Sequence, residues 1–257
     1  MQTAYITHPD CLEHDMGAGH PESPARLDAI ADQLIAAGLM PDLQQHEAPL
    51  ATYEQLARVH SLHYIESIQA ASPEQGMAYL DPDTSMNPHT LTAALRAAGA
   101  AVLATELVLE GKAENAFCAI RPPGHHAESA RAMGFCIFNN VAVGVAHALE
   151  KYGLQRVAIA DFDEHHGNGT EEIFRDDPRV MLCSTFQHPY YPYRGADSGN
   201  AHIINVPLPA GTGGTAFRAA VTGNWLPALE NFLPEMLFVS AGFDGHRDDN
   251  MAQFNLL

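Results

Sequence analysis

The sequence predicts an α/β protein with a mostly parallel central sheet and helices on both faces. Short apolar runs alternate with longer segments of helical spacing along the chain. Three of these runs end in acidic or histidine-rich segments, and the carboxyl ends of parallel strands are where such a sheet places its ligands. The length of 257 residues suits one domain over residues 1–257, with a single large core and no repeat or linker.

The individual elements can be predicted in chain order. A first strand is expected over residues 2–7, and Pro24 suits the start of a helix over residues 23–37. Leucine and valine recur at helical spacing in an alanine-rich background over residues 87–112, which predicts a long buried helix. The remaining expectations are strands over 116–120, 156–160 and 236–244 and helices over 139–152 and 215–232.

Composition narrows the class of protein. No run approaches the roughly 18 apolar residues of a transmembrane helix, and the amino terminus lacks a basic and then apolar export pattern, so we expect a cytoplasmic protein with no membrane partner. The four cysteines are widely spaced and form no Cys-x-x-Cys pair, which argues against a disulfide scaffold or a thiolate zinc site.

The charge of the chain is strongly negative. Its 31 acidic and 13 basic residues give a formal charge of -18, which repels phosphate backbones and makes nucleic acid an unexpected partner. Such a surface attracts cationic molecules, but it also simply maintains solubility. Glu13, Asp15 and Glu22 are candidates to recognise a distal ammonium group, although exposed acids are usually only solvated. The sequence leaves the oligomeric state open, a homo-oligomer included.

The segment Asp161 to Thr170 holds the first candidate site residues. It follows the apolar run 156–160, and strand alternation would direct Asp163 and His165 to one side. A catalytic metal typically uses three protein ligands and leaves one position to water, so a third ligand is needed.

Asp244 is the expected third ligand, because it ends the apolar run 236–244. Two carboxylates and one imidazole suit Zn²⁺, with Fe²⁺ or Co²⁺ as alternatives. Buried, hydrogen-bonded polar residues are the competing interpretation of the same three side chains.

The segment Arg121 to Ala127 contains a second candidate group. Consecutive prolines cannot continue a strand, and Gly124 permits a tight turn, which predicts a rigid loop carrying His125 and His126. Paired imidazoles can supply a general base and a polarising cation for hydrolysis. Taken alone, however, such histidines are more often structural.

Taken together, these motifs resemble the histone deacetylase superfamily, including its bacterial histone-deacetylase-like and acetylpolyamine amidohydrolase branches. The resemblance rests on five segments that occur in the family's order: 19–26, 121–127, 134–140, 161–170 and 240–246. It implies the arginase/deacetylase-like version of the α/β fold and hydrolysis of an acylated lysine in a peptide or protein, or of an acylated polyamine.

The resemblance also implies individual roles. His126 would take a proton from the attacking water and return it to the leaving amine, while a carboxylate partner keeps His125 oriented and cationic. The implied zinc ligands are Asp163, His165 and Asp244, and the implied partners of the two histidines are Asp161 and Asn168. The implied channel residues are Gly134, Phe135, Tyr190 and Tyr191. The implied potassium site, built partly from main-chain carbonyls, contains Asp161, Ser184 and Thr185.

The sequence departs from the family in two places. The family's catalytic tyrosine follows the third ligand by a few tens of residues, whereas Leu257 lies 13 residues after Asp244 and no Gly-Gly-Tyr segment occurs. We therefore expect a chain that lacks the family's C-terminal strand and helix, with an apolar end that favours association. Activity is expected to be weakened unless His246 or a neighbouring subunit's tyrosine supplies the oxyanion donor. Glu164 occupies a usually apolar position, and alternation would turn it away from the metal.

Two other functions are compatible with parts of this pattern. The absent tyrosine favours an acyl-amine binding or assembly protein without turnover. Strand-end ligands also occur in arginase-like ureohydrolases with two manganese ions, but these need a further acid two positions after the histidine. Gly167 occupies that position, which disfavours the second alternative.

Overall fold

The computed structural model describes residues 2–257. The chain forms two compact units whose boundary falls between Tyr152 and Gly153. Each unit contains its own parallel sheet and its own helices. The predicted fold class is confirmed: the protein is an α/β protein with mostly parallel sheets flanked by helices.

The first unit contains a three-stranded parallel sheet and a separate antiparallel hairpin. The sheet has the order β2-β1-β5, and β3 pairs with β4 in the hairpin. Strand β1 lies between its two neighbours, with Ala4 and Ile6 in the core. The strands are β1 (Thr3–Thr7), β2 (Leu43–Glu47), β3 (Ala78–Asp81), β4 (Thr84–Met86) and β5 (Asn115–Cys118).

The helices of the first unit confirm the three that the sequence predicts there, with ends shifted by up to three residues. Three shorter helices occur in addition, and the one that follows Thr52 begins with a capping box in which Thr52 and Gln55 bond each other's main chain. The six helices are α1 (Asp10–Glu13), α2 (Ala25–Ala36), α3 (Tyr53–Leu56), α4 (Leu62–Ala71), α5 (Thr90–Leu109) and α6 (Asn140–Tyr152).

Helix α5 is more apolar than the sequence analysis allowed. Its 20 residues have a mean hydropathy of 1.5, so by length and composition it is long and apolar enough to cross a membrane. Half of that stretch is buried within the fold, and alanines such as Ala97 and Ala98 are fully covered. The core helix of a globular protein meets the same criterion, so α5 is weak evidence for a membrane span.

The second unit contains a four-stranded parallel sheet of order β8-β7-β6-β9. In the register, Asp161 at the end of β6 pairs with Ser240 at the end of β9 and with Ser184 of β7, so the carboxyl ends of β6 and β9 meet at one edge and β7 continues beyond them. The strands are β6 (Val157–Asp161), β7 (Val180–Gln187), β8 (Ile203–Leu208) and β9 (Met236–Ser240). The helices are α7 (Asn168–Phe174), α8 (Gly214–Ala220) and α9 (Leu226–Phe232).

Two expectations about this unit need correction. The helix predicted over 215–232 is interrupted by a wider π-helical turn, Val221–Trp225, which places Trp225 against Ala158 and Met181 in the core. The apolar chain end was expected to lie open, but Phe254 is buried and its ring lies 6.5 Å from that of Phe217. Leu257 is exposed, as expected.

Candidate active site

Three predicted metal ligands converge in the second unit. His165 Nδ1 lies 3.1 Å from Asp163 Oδ1 and 2.6 Å from Asp244 Oδ2. One ligand atom from each residue lies within 4.8 Å of the other two. Two carboxylate oxygens and an imidazole nitrogen at this spacing are a donor set that suits a divalent ion of the zinc type.

The electrostatics of this cluster also suit a cation. Burial raises the pKa of Asp244, and the nearby charge of Asp163 raises it further. Burial lowers the pKa of His165, but hydrogen bonds to Asp163 and Asp244 outweigh that effect and raise it to about 10. Two carboxylates around one imidazole therefore favour positive charge at their centre, which a proton or a metal ion can supply.

The local reason for the convergence differs from the predicted one. Strand β6 ends at Asp161, so Asp163 and His165 lie in the loop beyond it and strand alternation does not align them. Instead, Asp163 Oδ1 accepts the main-chain N–H of His165 at 2.7 Å, which folds the loop back on itself. Strand β9 likewise ends at Ser240, before Asp244.

Gly242 is a site residue that the sequence analysis missed. A Cβ atom at this position would lie 2.1 Å from Asp163 Oδ2, far inside van der Waals contact. The glycine in the segment Ser240-Ala-Gly-Phe-Asp244 therefore lets the carboxylate of Asp163 approach the main chain. A glycine two positions before a candidate ligand was the available signal, but the close contact comes from tertiary structure.

The Gly242→Ala variant is expected to bind zinc about 10- to 100-fold more weakly than the wild type, because the new methyl group displaces Asp163. Competition with a chromophoric chelator measures this affinity. Gly223→Ala is the matched control, since a Cβ there has no neighbour within 4 Å. Equal zinc affinity in Gly242→Ala and Gly223→Ala would contradict the role assigned to Gly242.

The tandem histidines lie on a buried loop of the first unit. The rings of His125 and His126 are both buried, with centroids 4.0 Å apart. Gly134 has a φ of +57°, and a Cβ there would lie 2.4 Å from the His126 ring. Glycine suits this position for two reasons: its backbone has a positive φ, and the His126 ring leaves no room for a side chain.

Phe135 has an unusual backbone conformation for a bulky residue, with a φ of 69°. Its N–H donates to Thr84 Oγ1 of β4 at 3.0 Å, and its ring packs edge-on against His20 with centroids 4.6 Å apart. Strained residues of this kind cluster at functional sites, and their surroundings hold them in place. The conformation therefore agrees with the predicted channel role of Phe135, which stays a prediction.

His60 supports the same loop without being a candidate catalyst. Its Nδ1 donates to the carbonyl of Glu128 at 3.1 Å, and its Nε2 accepts the N–H of Asn139 at 2.9 Å. Burial lowers the pKa of His60 to about 4, which keeps the ring neutral and able to do both. No recognisable spacing around His60 in the sequence indicates this role.

The remaining predicted residues of the second unit are placed as follows. The Tyr190 and Tyr191 rings lie 5.5 and 6.1 Å from His165, and the Tyr190 hydroxyl donates to the Met251 carbonyl. Asn168 is buried at the start of α7. Asp161 and Ser184 are register neighbours, and Thr185 Oγ1 is buried with no hydrogen-bond partner within residues 2–257. A joint site formed with the tandem histidines stays a prediction.

Comparison with known proteins gives consistent matches along the chain. The family described as "Histone deacetylase domain" matches residues 20–257. A histone deacetylase-like amidohydrolase of Pseudomonas aeruginosa is 41% identical over 248 residues, which is 93% of this chain and 64% of that protein. A probable deacetylase of Archaeoglobus fulgidus is 37% identical over all of this chain and 73% of that protein.

Two further comparisons extend the likeness to animal relatives and to a solved structure. The polyamine deacetylase HDAC10 of Rattus norvegicus is 37% identical over 98% of this chain and 47% of that protein. The crystal structure of the HDA15 HD domain is 34% identical, with a TM-score of 0.94 over 99% of this chain and 76% of that chain. The chain thus spans only about half to three quarters of these proteins.

Proposed function

Because the chain belongs to the histone deacetylase family, we propose that it is a zinc-dependent hydrolase that cleaves the acyl amide of an acylated lysine or an acylated polyamine. The observation that carries the proposal is the convergence of Asp163, His165 and Asp244. Amidohydrolases and deacetylases among the relatives support hydrolysis in general. The polyamine deacetylase and the acidic surface support an amine-containing substrate.

Asp163, His165 and Asp244 would hold the ion, with Zn²⁺ favoured over Fe²⁺ or Co²⁺. When bound, such an ion supplies Lewis-acid polarisation of the amide carbonyl and a lowered pKa for water. Asp161, Ser184 and Thr185 would hold a structural K⁺ ion, partly through main-chain carbonyls.

In the proposed mechanism, His126 accepts a proton from the water that attacks the amide carbon. It then delivers this proton to the leaving amine. His125, oriented by Asp161, remains cationic and stabilises developing negative charge. Asn168 orients the second imidazole. Gly134, Phe135, Tyr190 and Tyr191 would form a narrow channel that admits the acylated alkyl chain.

The test is release of free amine from an acetyl-lysine peptide, longer acyl-lysine peptides and acetylated polyamines, with the metal quantified in the same sample. We expect about one zinc ion per chain and amine release that chelation abolishes and added zinc restores. The untreated sample and the sample to which zinc is returned control for damage by the chelator. Two manganese ions per chain would instead favour the ureohydrolase.

The proposal and the binding-protein alternative predict different outcomes in this assay. A zinc-loaded chain that binds an acetyl-lysine peptide and releases no amine from any substrate would contradict hydrolysis and favour binding without turnover. Comparing turnover of the acyl-lysine and polyamine substrates then identifies the amine half.

A further inference from the structure

Glu164 lies between two candidate metal ligands in sequence, yet its side chain bonds the main chain of a segment near the end of the chain. The residue is fully buried. Its Oε1 atom accepts the main-chain N–H groups of Gln253 and Phe254 at 2.7 and 2.6 Å. Short hydrogen bonds to a carboxylate are stronger than those to a neutral acceptor, and burying a carboxyl group without such partners is costly.

The two N–H groups differ in how much they depend on Glu164. The N–H of Gln253 also reaches Gln187 Oε1 at 3.0 Å, so it has a second acceptor. For Phe254, Glu164 Oε1 is the acceptor within the described chain, and Phe254 is buried. Loss of the carboxyl group would therefore leave a buried main-chain donor without a partner.

Residues 253–256 in turn support the loop that carries Asp244. The N–H of Leu256 donates to the carbonyl of Gly245 at 3.1 Å, and the N–H of Arg247 donates to the carbonyl of Leu256 at 3.0 Å. The segment is held on its other side by bonds to the 209–213 loop, in which Gly211 donates to Gln253 at 2.7 Å. Movement of this segment would therefore move the residue next to Asp244.

Glu164 reaches Asp244 by a second route through its own main chain. Its N–H donates to Asp244 Oδ1 at 3.1 Å, while Asp244 Oδ2 faces His165. One residue thus fixes an oxygen of the ligand carboxylate directly and holds the segment behind the ligand loop. Partners that orient metal ligands in this way commonly change metal affinity when they are replaced.

We infer that Glu164 is a positioning residue that sets metal affinity by fastening residues 253–256 behind the Asp244 loop. The inference rests on the proposed function, because it assumes that Asp163, His165 and Asp244 bind a metal. It assigns Glu164 no contact with substrate or with the reacting atoms. It also gives a physical reason for an acidic residue at a position where family resemblance predicts an apolar one.

Substitution at position 164 tests this inference through zinc affinity rather than turnover. Glu164→Leu keeps the volume but removes the acceptor, and we expect zinc binding about 10- to 100-fold weaker in chelator competition. We also expect a changed visible spectrum with bound Co²⁺ and faster hydrogen exchange at the Phe254 amide. Glu164→Gln retains a neutral Oε1 acceptor, so its loss of zinc affinity and its increase in exchange should be smaller than those of Glu164→Leu.

Two further variants make the result decisive. Glu230→Leu makes the same chemical change at an exposed position of α9 and should leave zinc binding unchanged. Glu164→Asp retains the charge but withdraws the carboxylate by one methylene, so it should weaken zinc binding even if the leucine variant does not fold. Wild-type zinc affinity in a folded Glu164→Leu or Glu164→Asp protein would overturn the positioning role.

Failure of the proposed function would look different. A wild-type chain that binds no zinc would overturn the proposed function and the inference together. A wild-type chain that binds zinc and releases amine, alongside a Glu164→Leu protein of equal zinc affinity, would overturn only the inference.

Discussion

The Asp163→Ala variant is expected to lose zinc binding and amine release together. Asp163 supplies one of two carboxylates in the cluster, and its oxygen lies 3.1 Å from His165 Nδ1. Removal of the Asp163 carboxylate leaves two candidate ligands, fewer than catalytic zinc sites use, and should weaken zinc binding by more than about 100-fold. Zinc titration followed by chelator competition measures the affinity, and the amine-release assay measures turnover.

Thermal unfolding separates this effect from misfolding. Zinc that binds only the folded state should raise the melting temperature of the wild type and leave that of Asp163→Ala unchanged. Without added zinc, the Asp163→Ala protein should remain folded, because loss of the Asp163 carboxylate relieves its repulsion with Asp244. Asp176→Ala, an exposed acid in the same unit, should behave as the wild type. Stoichiometric zinc binding by Asp163→Ala at wild-type affinity would contradict the ligand set.

The sequence was sufficient to predict the α/β class and the residues of the candidate metal cluster, because both depend on local patterns. The apolar runs 156–160 and 236–244 predict strands, and the carboxyl ends of parallel strands meet at one sheet edge. Strands β2, β3, β4, β7 and β8 were not predicted. Strand β2 is mostly polar and β8 contains Pro207, so neither has a strong strand pattern, whereas β7 begins with an apolar run that the sequence did offer as a signal.

The contacts that shape the cluster were not predictable from local patterns. Gly242 lies beside Asp163, Glu164 bonds Phe254, and both contacts join segments about 80 to 90 residues apart in sequence. Periodicity describes which face of an element a residue occupies, but it carries no information about such distant pairs. Asp163 and His165 were expected on one side because of strand alternation, whereas they lie beyond β6 in a loop held by the bond from the His165 N–H to Asp163.

A distant pair of this kind also corrects the interpretation of Glu22 as an acid for a substrate ammonium group. Glu22 is buried and forms a bidentate ion pair with the fully buried Arg121, with N–O distances of 2.5 and 2.6 Å. Arg121 also donates to the carbonyls of Cys11 and His14 at 2.8 and 2.9 Å. The ion pair therefore joins the segments around Cys11 and Glu22 to Arg121. Arg121 itself directly precedes the loop that carries the tandem histidines.

The Glu22→Gln variant is expected to lower the free energy of unfolding by about 3–5 kcal/mol, because it leaves the Arg121 charge buried without a counterion. Chemical denaturation at neutral pH measures this loss. Glu13→Gln, an exposed acid nearby, should change stability by less than about 0.5 kcal/mol. A loss below about 1 kcal/mol for Glu22→Gln would contradict a stabilising role for the pair.

The pH dependence of the difference in unfolding free energy between wild type and Glu22→Gln identifies the Glu22 carboxylate as its source. Burial raises the pKa of Glu22, but hydrogen bonds from His14 and Arg121 outweigh it and lower the pKa to about 2. Because the folded-state pKa lies below the ordinary value of 4.5, the contribution is complete above pH 4.5 and is lost as pH falls towards 2. The difference in unfolding free energy between wild type and Glu22→Gln should therefore become smaller over this interval.

The double variant Glu22→Leu/Arg121→Met removes both charges and should be more stable than Glu22→Gln at neutral pH, since neither partner is left uncompensated.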